Sequence, residues 1–196
     1  MHLAMVLAVV FMSLLAGGLV TALGYYAPLM IACSAITAAG CGLLTTLKPD
    51  SPPAQWIGYQ VVVGVGVGLG MQQPLMAVQT VLSLDDVPTG TSVVVFAQTI
   101  GSSILLIVAQ NLFTNELLAG LAKEVPSINP AAVLNAGALG VLEDVPETVR
   151  HAVLLAYNRA VTTAMYLPTA TAAMSIIGAL AMEWKSVKVN TFTRNG

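Results

Sequence analysis

The chain has 196 residues, of which only seven are Lys or Arg and nine are Asp or Glu. That charged share of 8% is far below the ~25% of an ordinary soluble domain, while hydrophobic residues reach 57% and the mean hydropathy is +0.84. A soluble enzyme is excluded for want of charged surface, a disordered chain for its excess of apolar residues, and nucleic acid as a partner because no basic cluster offsets a net charge of −2.

The charges are also segregated. Met1–Leu47, Ser51–Leu84, Val87–Asn115, Val125–Leu142 and Ala160–Met182 contain none. A helix crossing the hydrocarbon layer needs about 20 mostly apolar residues, and a charge at its centre costs roughly 2.5–3.5 kcal/mol, so these runs predict membrane spans. In chain order the expected helices are Leu3–Leu23, Ala27–Leu47, Ile57–Leu84, Val93–Phe113 and Ala160–Met182, which makes an all-α polytopic bundle and a single membrane domain over 1–196. Gly24-Tyr25-Tyr26-Ala27-Pro28 separates the first two, with a proline suited to a helix start. Only His2 precedes the first apolar run, so that run reads as a span and not as a cleaved leader. The third helix is longer than a membrane requires, and a tilt or a bend near Pro74 is expected. Thr114–Arg159 reads as a loop, because its charge-free stretch contains Pro126, Asn129, Pro130, Asn135, Gly137 and Gly140. Glu147–Asn158 within it suits a surface helix. Glu183–Gly196 is a polar tail. The basic residues do not decide orientation by number, with Lys185, Lys188 and Arg194 on the tail side against Lys48, Lys123, Arg150 and Arg159; their density favours a cytoplasmic tail.

The spans hold no ionisable proton relay and no catalytic constellation. Cys33 and Cys41 are eight residues apart, ~12 Å along a helix, too far for a disulfide and without metal spacing; they read as small packing residues, and no metal or cofactor is expected. What remains is amides and hydroxyls, which hydrocarbon does not solvate, so they must face protein or a watery cavity. Gln60, Gln72, Gln73 and Gln79 lie on the third helix, and Gln98, Ser102, Ser103, Gln110 and Asn111 on the fourth. Interhelical bonding and a substrate path are both open to them. Gln72 and Gln79 share a helix face with Met76 between them, so these three and Gln98 are the candidate cavity residues. Gln73 points about 100° away from Gln72 and is expected to bond a neighbouring helix. Gly64, Gly66, Gly68 and Gly70 give two overlapping G-x-x-x-G spacings on opposite sides of one helix, so two neighbours can approach it closely. Pro74 removes a backbone hydrogen bond just beyond them.

Taken with their spacing, Gly17–Pro28, Gly42–Leu47, Trp56–Gln60, Gly68–Pro74, Phe96–Gly101 and Met182–Lys188 resemble the C-terminal half of major facilitator superfamily transporters, most closely the fungal fourteen-helix drug:proton antiporters and toxin efflux pumps. The resemblance covers almost the whole chain. Of the family's loop signature, G-x-x-x-D-R-x-G-R-R/K, Gly17 and Gly24 are kept, while Thr21 replaces the acid, Ala22 the first base, and Tyr25 and Tyr26 the last two bases. A charge-based latch is therefore not expected at this loop.

The resemblance implies an incomplete C-terminal half, with the third helix lining a central cavity, Thr114–Arg159 extracellular and the tail cytoplasmic. It implies proton-coupled export of small hydrophobic toxins, drugs or secondary metabolites by alternating access, in a multi-pass protein of the plasma membrane. The partners implied are the lipid bilayer, those substrates and the missing N-terminal half of the transporter. The alternative is a truncated membrane subunit, regulatory or structural, that transports nothing.

Overall fold

The computed structural model describes residues 3–125 and 147–182. They are all helical apart from short turns, and five of the helical segments are long and apolar enough to cross a membrane. The helices are α1 (Leu3–Leu23), α2 (Ala27–Leu44), α3 (Pro53–Gly70), α4 (Gln73–Val81), α5 (Val87–Glu124) and α6 (Glu147–Ala181). α3 and α4 are two parts of one span. The stretch 126–146 and the tail 183–196, over which part of the expected loop and all of the expected tail fall, lie outside the described residues.

Local chemistry explains where the helices stop. α1 ends at Gly24, whose φ of 76° is the only positive value among the described residues; a side chain there would be strained. α2 stops at Leu44, three residues short of the sequence expectation, where the Thr45 and Thr46 hydroxyls take the Gly42 and Leu43 carbonyls at 2.7 Å each. α3 starts earlier than expected, on Pro53, because a proline is well placed in a first helical turn. α5 and α6 extend well beyond the expected spans, α5 at both ends and α6 at its start. The sequence reading ended them at hydrocarbon length, but α5 has 38 residues, ~57 Å at 1.5 Å per residue. The surplus is a helical pair longer than an apolar layer needs, which turns 114–124 from expected loop into helix. The proposed surface helix at Glu147–Asn158 is continuous with the last span.

α3 is the centre of the bundle, packed between α1 and α2. Its four glycines make both contacts possible. A Cβ on Gly64 would lie 2.7 Å from the Met5 carbonyl oxygen, and one on Gly68 2.7 Å from that of Val9, both on α1. On the opposite side, a Cβ on Gly66 would lie 2.7 Å from the Thr37 nitrogen, and one on Gly70 would strike Cys33 Sγ, both on α2. The two G-x-x-x-G spacings thus serve two different neighbours. Apolar side chains cannot drive helices together in lipid, so close backbone approach of this kind supplies the packing energy. The outer row of α1, with Leu3, Leu7, Val10, Phe11 and Leu14, is exposed where a bilayer would cover it.

α2 packs on α6 through a hydroxyl pair, Ser175 Oγ donating to Ser34 Oγ at 2.8 Å. α5 touches α4 near Gly90 and pairs with α6 beyond Phe113, around Leu117, Leu121, Val153, Ala156 and Ala160. Between those two contacts its side chains are exposed nearly all round, including Val93, Phe96, Ile100, Ile104 and Leu106. Asn158 Nδ2 donates to the Leu47 carbonyl at 3.0 Å, which places the α2–α3 loop and the α5–α6 pair at one end of the bundle. Tyr26, Leu82, Val94 and Met182 line one cavity at the other end.

Candidate functional site

The expected bend becomes a break. α3 ends at Gly70 and α4 begins at Gln73, with Met71 and Gln72 in a turn between them. Pro74 has no N–H to give to the Gly70 carbonyl, and its ring crowds that oxygen. Proline alone is not sufficient: α6 runs through Pro168 unbroken. The difference is the run of glycines before Pro74, each of which costs a helix about 1 kcal/mol relative to alanine.

Gln73 sits at this break, 1% exposed. Its Nε2 donates to the Leu69 carbonyl at 3.0 Å. The expectation that it bonds a neighbouring helix is therefore corrected: the amide turns back on its own chain, to a carbonyl at the end of α3. Its Oε1 is buried and has no hydrogen-bond partner. Such an orphan acceptor costs about 1–3 kcal/mol.

Around the break lies a cavity of about 240 Å³, walled by Ser13, Gly17 and Val20 of α1 and by Gln72, Gln73, Leu75, Met76 and Gln79. Gln72, Met76 and Gln79, grouped by helical spacing in the sequence, thus come together, and Gln72 and Gln79 are both exposed. Ser13 is the middle residue of α1 and Val20 lies three residues from its end, so the cavity runs from the middle of the bundle towards the Gly24 end. Ser13 Oγ donates to the Val10 carbonyl at 2.9 Å and keeps lone pairs to accept with. The walls offer an apolar lining with a few amide and hydroxyl groups, and no charge. Such a site suits a small, mainly hydrophobic molecule with few hydrogen-bonding groups.

Gln98 is not part of it. It is exposed on the uncovered stretch of α5, and Thr99, Ser102, Ser103 and Asn111 on the same helix bond back to carbonyls of α5 itself. Of the loop-signature residues, Gly17 walls the cavity and Thr21 Oγ1 donates to the Gly17 carbonyl at 2.9 Å. Gly24 supplies the turn, Tyr25 is exposed, and Tyr26 is fully buried beside Ala27, Ala77 and Met30.

Ser13, Val20 and Leu75 had no distinguishing signal in the sequence. They matter because α1 is the helix opposite α4, which spacing within one helix does not reveal. Two more cavities were also unforeseen. One, of about 430 Å³, is apolar and lies among Met30, Ala77, Val81, Val94 and Met182. The other, of about 490 Å³, lies between α2, α3 and α6, with Cys33, Ser34, Thr37, Thr171 and Ser175 in its wall. Among the described residues no group of three His, Cys, Asp or Glu side chains is placed to hold a metal ion.

No family model and no solved structure matches the chain. Curated proteins do. The chain is 52% identical over 188 residues to the MFS-type transporter astH of Aspergillus oryzae, a match covering 96% of this chain and 33% of that protein. It is 50% identical to the efflux pump roqT of Penicillium rubens, over 96% of this chain and 35% of that one. It is 44% identical to the aspyridones efflux protein of Neocamarosporium betae, over 88% of this chain and 31% of that one. These relatives are transporters, not enzymes, and the chain spans about a third of their length. A bundle with five candidate spans thus aligns almost end to end with about a third of each of these fungal MFS-type transporters and efflux pumps.

Proposed function

We propose that the chain is the C-terminal part of an efflux transporter that exports small hydrophobic toxins, drugs or secondary metabolites by alternating access. The observation that carries this reading is the cavity at the α3–α4 break, where Gln72, Met76 and Gln79 meet α1. Broken helices near the midplane are where membrane transporters build substrate sites, because the unpaired backbone there lines a cavity and not lipid. The relative named for aspyridones efflux supports metabolite cargo. In this reading the protein is in the plasma membrane, Asn115 faces outside and Asp85 the cytoplasm, and the proton gradient drives export. The apolar stretches Leu3–Leu23, Ala27–Leu44, Pro53–Val81, 87–113 and 160–181 contain no Asp, Glu or His, and Glu116, Glu124 and His151 lie on the extended ends of α5 and α6, so in this reading the proton-carrying groups belong to the remainder of the transporter.

The bare stretch of α5 supports the need for a partner. Its hydroxyls and amides, exposed with the apolar side chains around them, face the absent half of the transporter in this reading. It also favours the second reading, a subunit that binds another transporter and moves nothing itself.

The test is a chimera in which this chain replaces the matching part of the Penicillium rubens efflux pump. The chimera is expected to export, and the chain alone is not. In the chimera, Gln72→Ala and Gln79→Ala should change the relative export of chemically different substrates by about tenfold at equal surface expression, the value of one hydrogen bond of ~1.4 kcal/mol. Profiles that match the parent across all substrates would remove the cavity from the transport path. Orientation is checked separately: an impermeant thiol reagent applied to intact cells should label Asn115→Cys and not Asp85→Cys, and the reverse pattern would invert the topology.

A further inference from the structure

We infer that Gln73, and not only the exposed glutamines, selects the ligand of this cavity, by accepting a hydrogen bond from a hydroxyl or N–H group. The inference rests on the cavity being a ligand site. Gln73 is part of the cavity wall, almost completely buried, and its Oε1 has no partner. Amide oxygen and nitrogen are hard to tell apart by position, but here chemistry settles the orientation. The Leu69 carbonyl can only accept, so the atom 3.0 Å from it must be the nitrogen, and the free atom must be the oxygen. The amide is thus held in one orientation with its acceptor left over. The wall also holds Val20, Leu75 and Met76, which have nothing to donate, and the amides of Gln72 and Gln79, neither of which bonds the Gln73 oxygen. A hydrophobic molecule bearing one donor satisfies the oxygen; its methylated counterpart occupies the same apolar walls and leaves the oxygen orphaned. A site with a buried acceptor rejects the analogue that lacks the donor more strongly than apolar walls discriminate by shape.

The experiment uses the full chain in lipid nanodiscs and two fluorescent probes of nearly equal size, β-naphthol and its methyl ether, each corrected for uptake by empty nanodiscs. The parent is expected to bind naphthol about tenfold more tightly than the ether, one good hydrogen bond. Gln73→Met, which keeps the volume and loses the acceptor, should bring the two affinities together by weakening naphthol alone. Gln73→Glu, kept protonated by burial, retains a donor for Leu69 and a free carbonyl oxygen and should preserve the preference. It also keeps the test decisive if Gln73→Met fails to fold. Equal binding of both probes to the parent, or a preference that survives in Gln73→Met, overturns the inference while leaving the cavity as a ligand site. Binding of neither probe overturns both.

Discussion

Leu121→Ala should loosen the α5–α6 pair by ~2–5 kcal/mol, the range for deleting a fully buried leucine side chain. Leu117 and Leu121 are both 0% exposed, one helical turn apart, and they face Val153, Ala156 and Ala160 of α6. Phe113 and Tyr157 close the cluster edge to face, with ring centres 5.3 Å apart. This is the part of the molecule where burial of apolar surface is most strongly rewarded. Glu116, Lys123, Glu124, Arg150 and Arg159 lie along the same stretch, so it is bathed in water, and the hydrophobic effect works there as in a soluble protein. Within the bilayer the alternative to burial is lipid, which is as apolar as leucine. Hydrogen exchange is the measurement. Amides of 113–125 and 149–160 should lose protection in Leu121→Ala, while those of α3 keep theirs. Glu116→Ala is the matched contrast. It removes a 2.7 Å ion pair to Arg159, but that arginine side chain is 66% exposed, so the loss should stay below ~1 kcal/mol. An ion-pair variant as damaging as the leucine variant would show that charge, not burial, holds the pair together.

Gly66→Val should separate α2 from α3. The first added carbon would already lie 2.7 Å from the Thr37 backbone nitrogen, and backbone cannot move aside as the end of a flexible side chain can. Overpacking of this kind costs ~1–3 kcal/mol or more. Gly64→Val should do the same at α1, through the Met5 carbonyl and Ala8 Cβ. Gly17→Ala and Gly18→Ala are the controls, since a Cβ at either position meets nothing within 4 Å. They should be neutral, or more stable by up to ~1 kcal/mol from the better helix propensity of alanine. Unfolding in mixed micelles by stepwise addition of a denaturing detergent would rank the four variants. Equal stability of Gly66→Val and Gly18→Ala would refute the account of α3 as the helix clamped from both sides.

Membrane residence, five spans and the turn at Gly24 were legible in the sequence, because each depends on local composition. Long charge-free runs are excluded from water wherever they lie, and glycine at a tight turn meets a backbone need that neighbouring residues set. The paired glycine spacing also announced two close contacts on α3, and the spacing of Gln72, Met76 and Gln79 announced a shared face. Which helices would meet those surfaces was not legible, since α1, α2 and α6 are all apolar and lipid accepts any of them equally well. Tertiary structure decided that α1 lies opposite α4, and so made Ser13, Gly17 and Val20 part of the cavity. It decided that 114–124 continues α5 as helix and that the expected surface helix at Glu147–Asn158 is continuous with the last span, because Leu117 and Leu121 bury themselves on α6, a gain invisible in either segment alone. It also gave Gln73 a hydrogen-bond partner other than the expected neighbouring helix. Helical spacing placed that side chain away from Gln72, as in an unbroken helix, but glycine and proline together break the helix at Met71–Gln72. The amide then turns back to the Leu69 carbonyl with one acceptor to spare, because breaking a backbone ladder inside a membrane leaves polar groups that only nearby side chains or a ligand can satisfy.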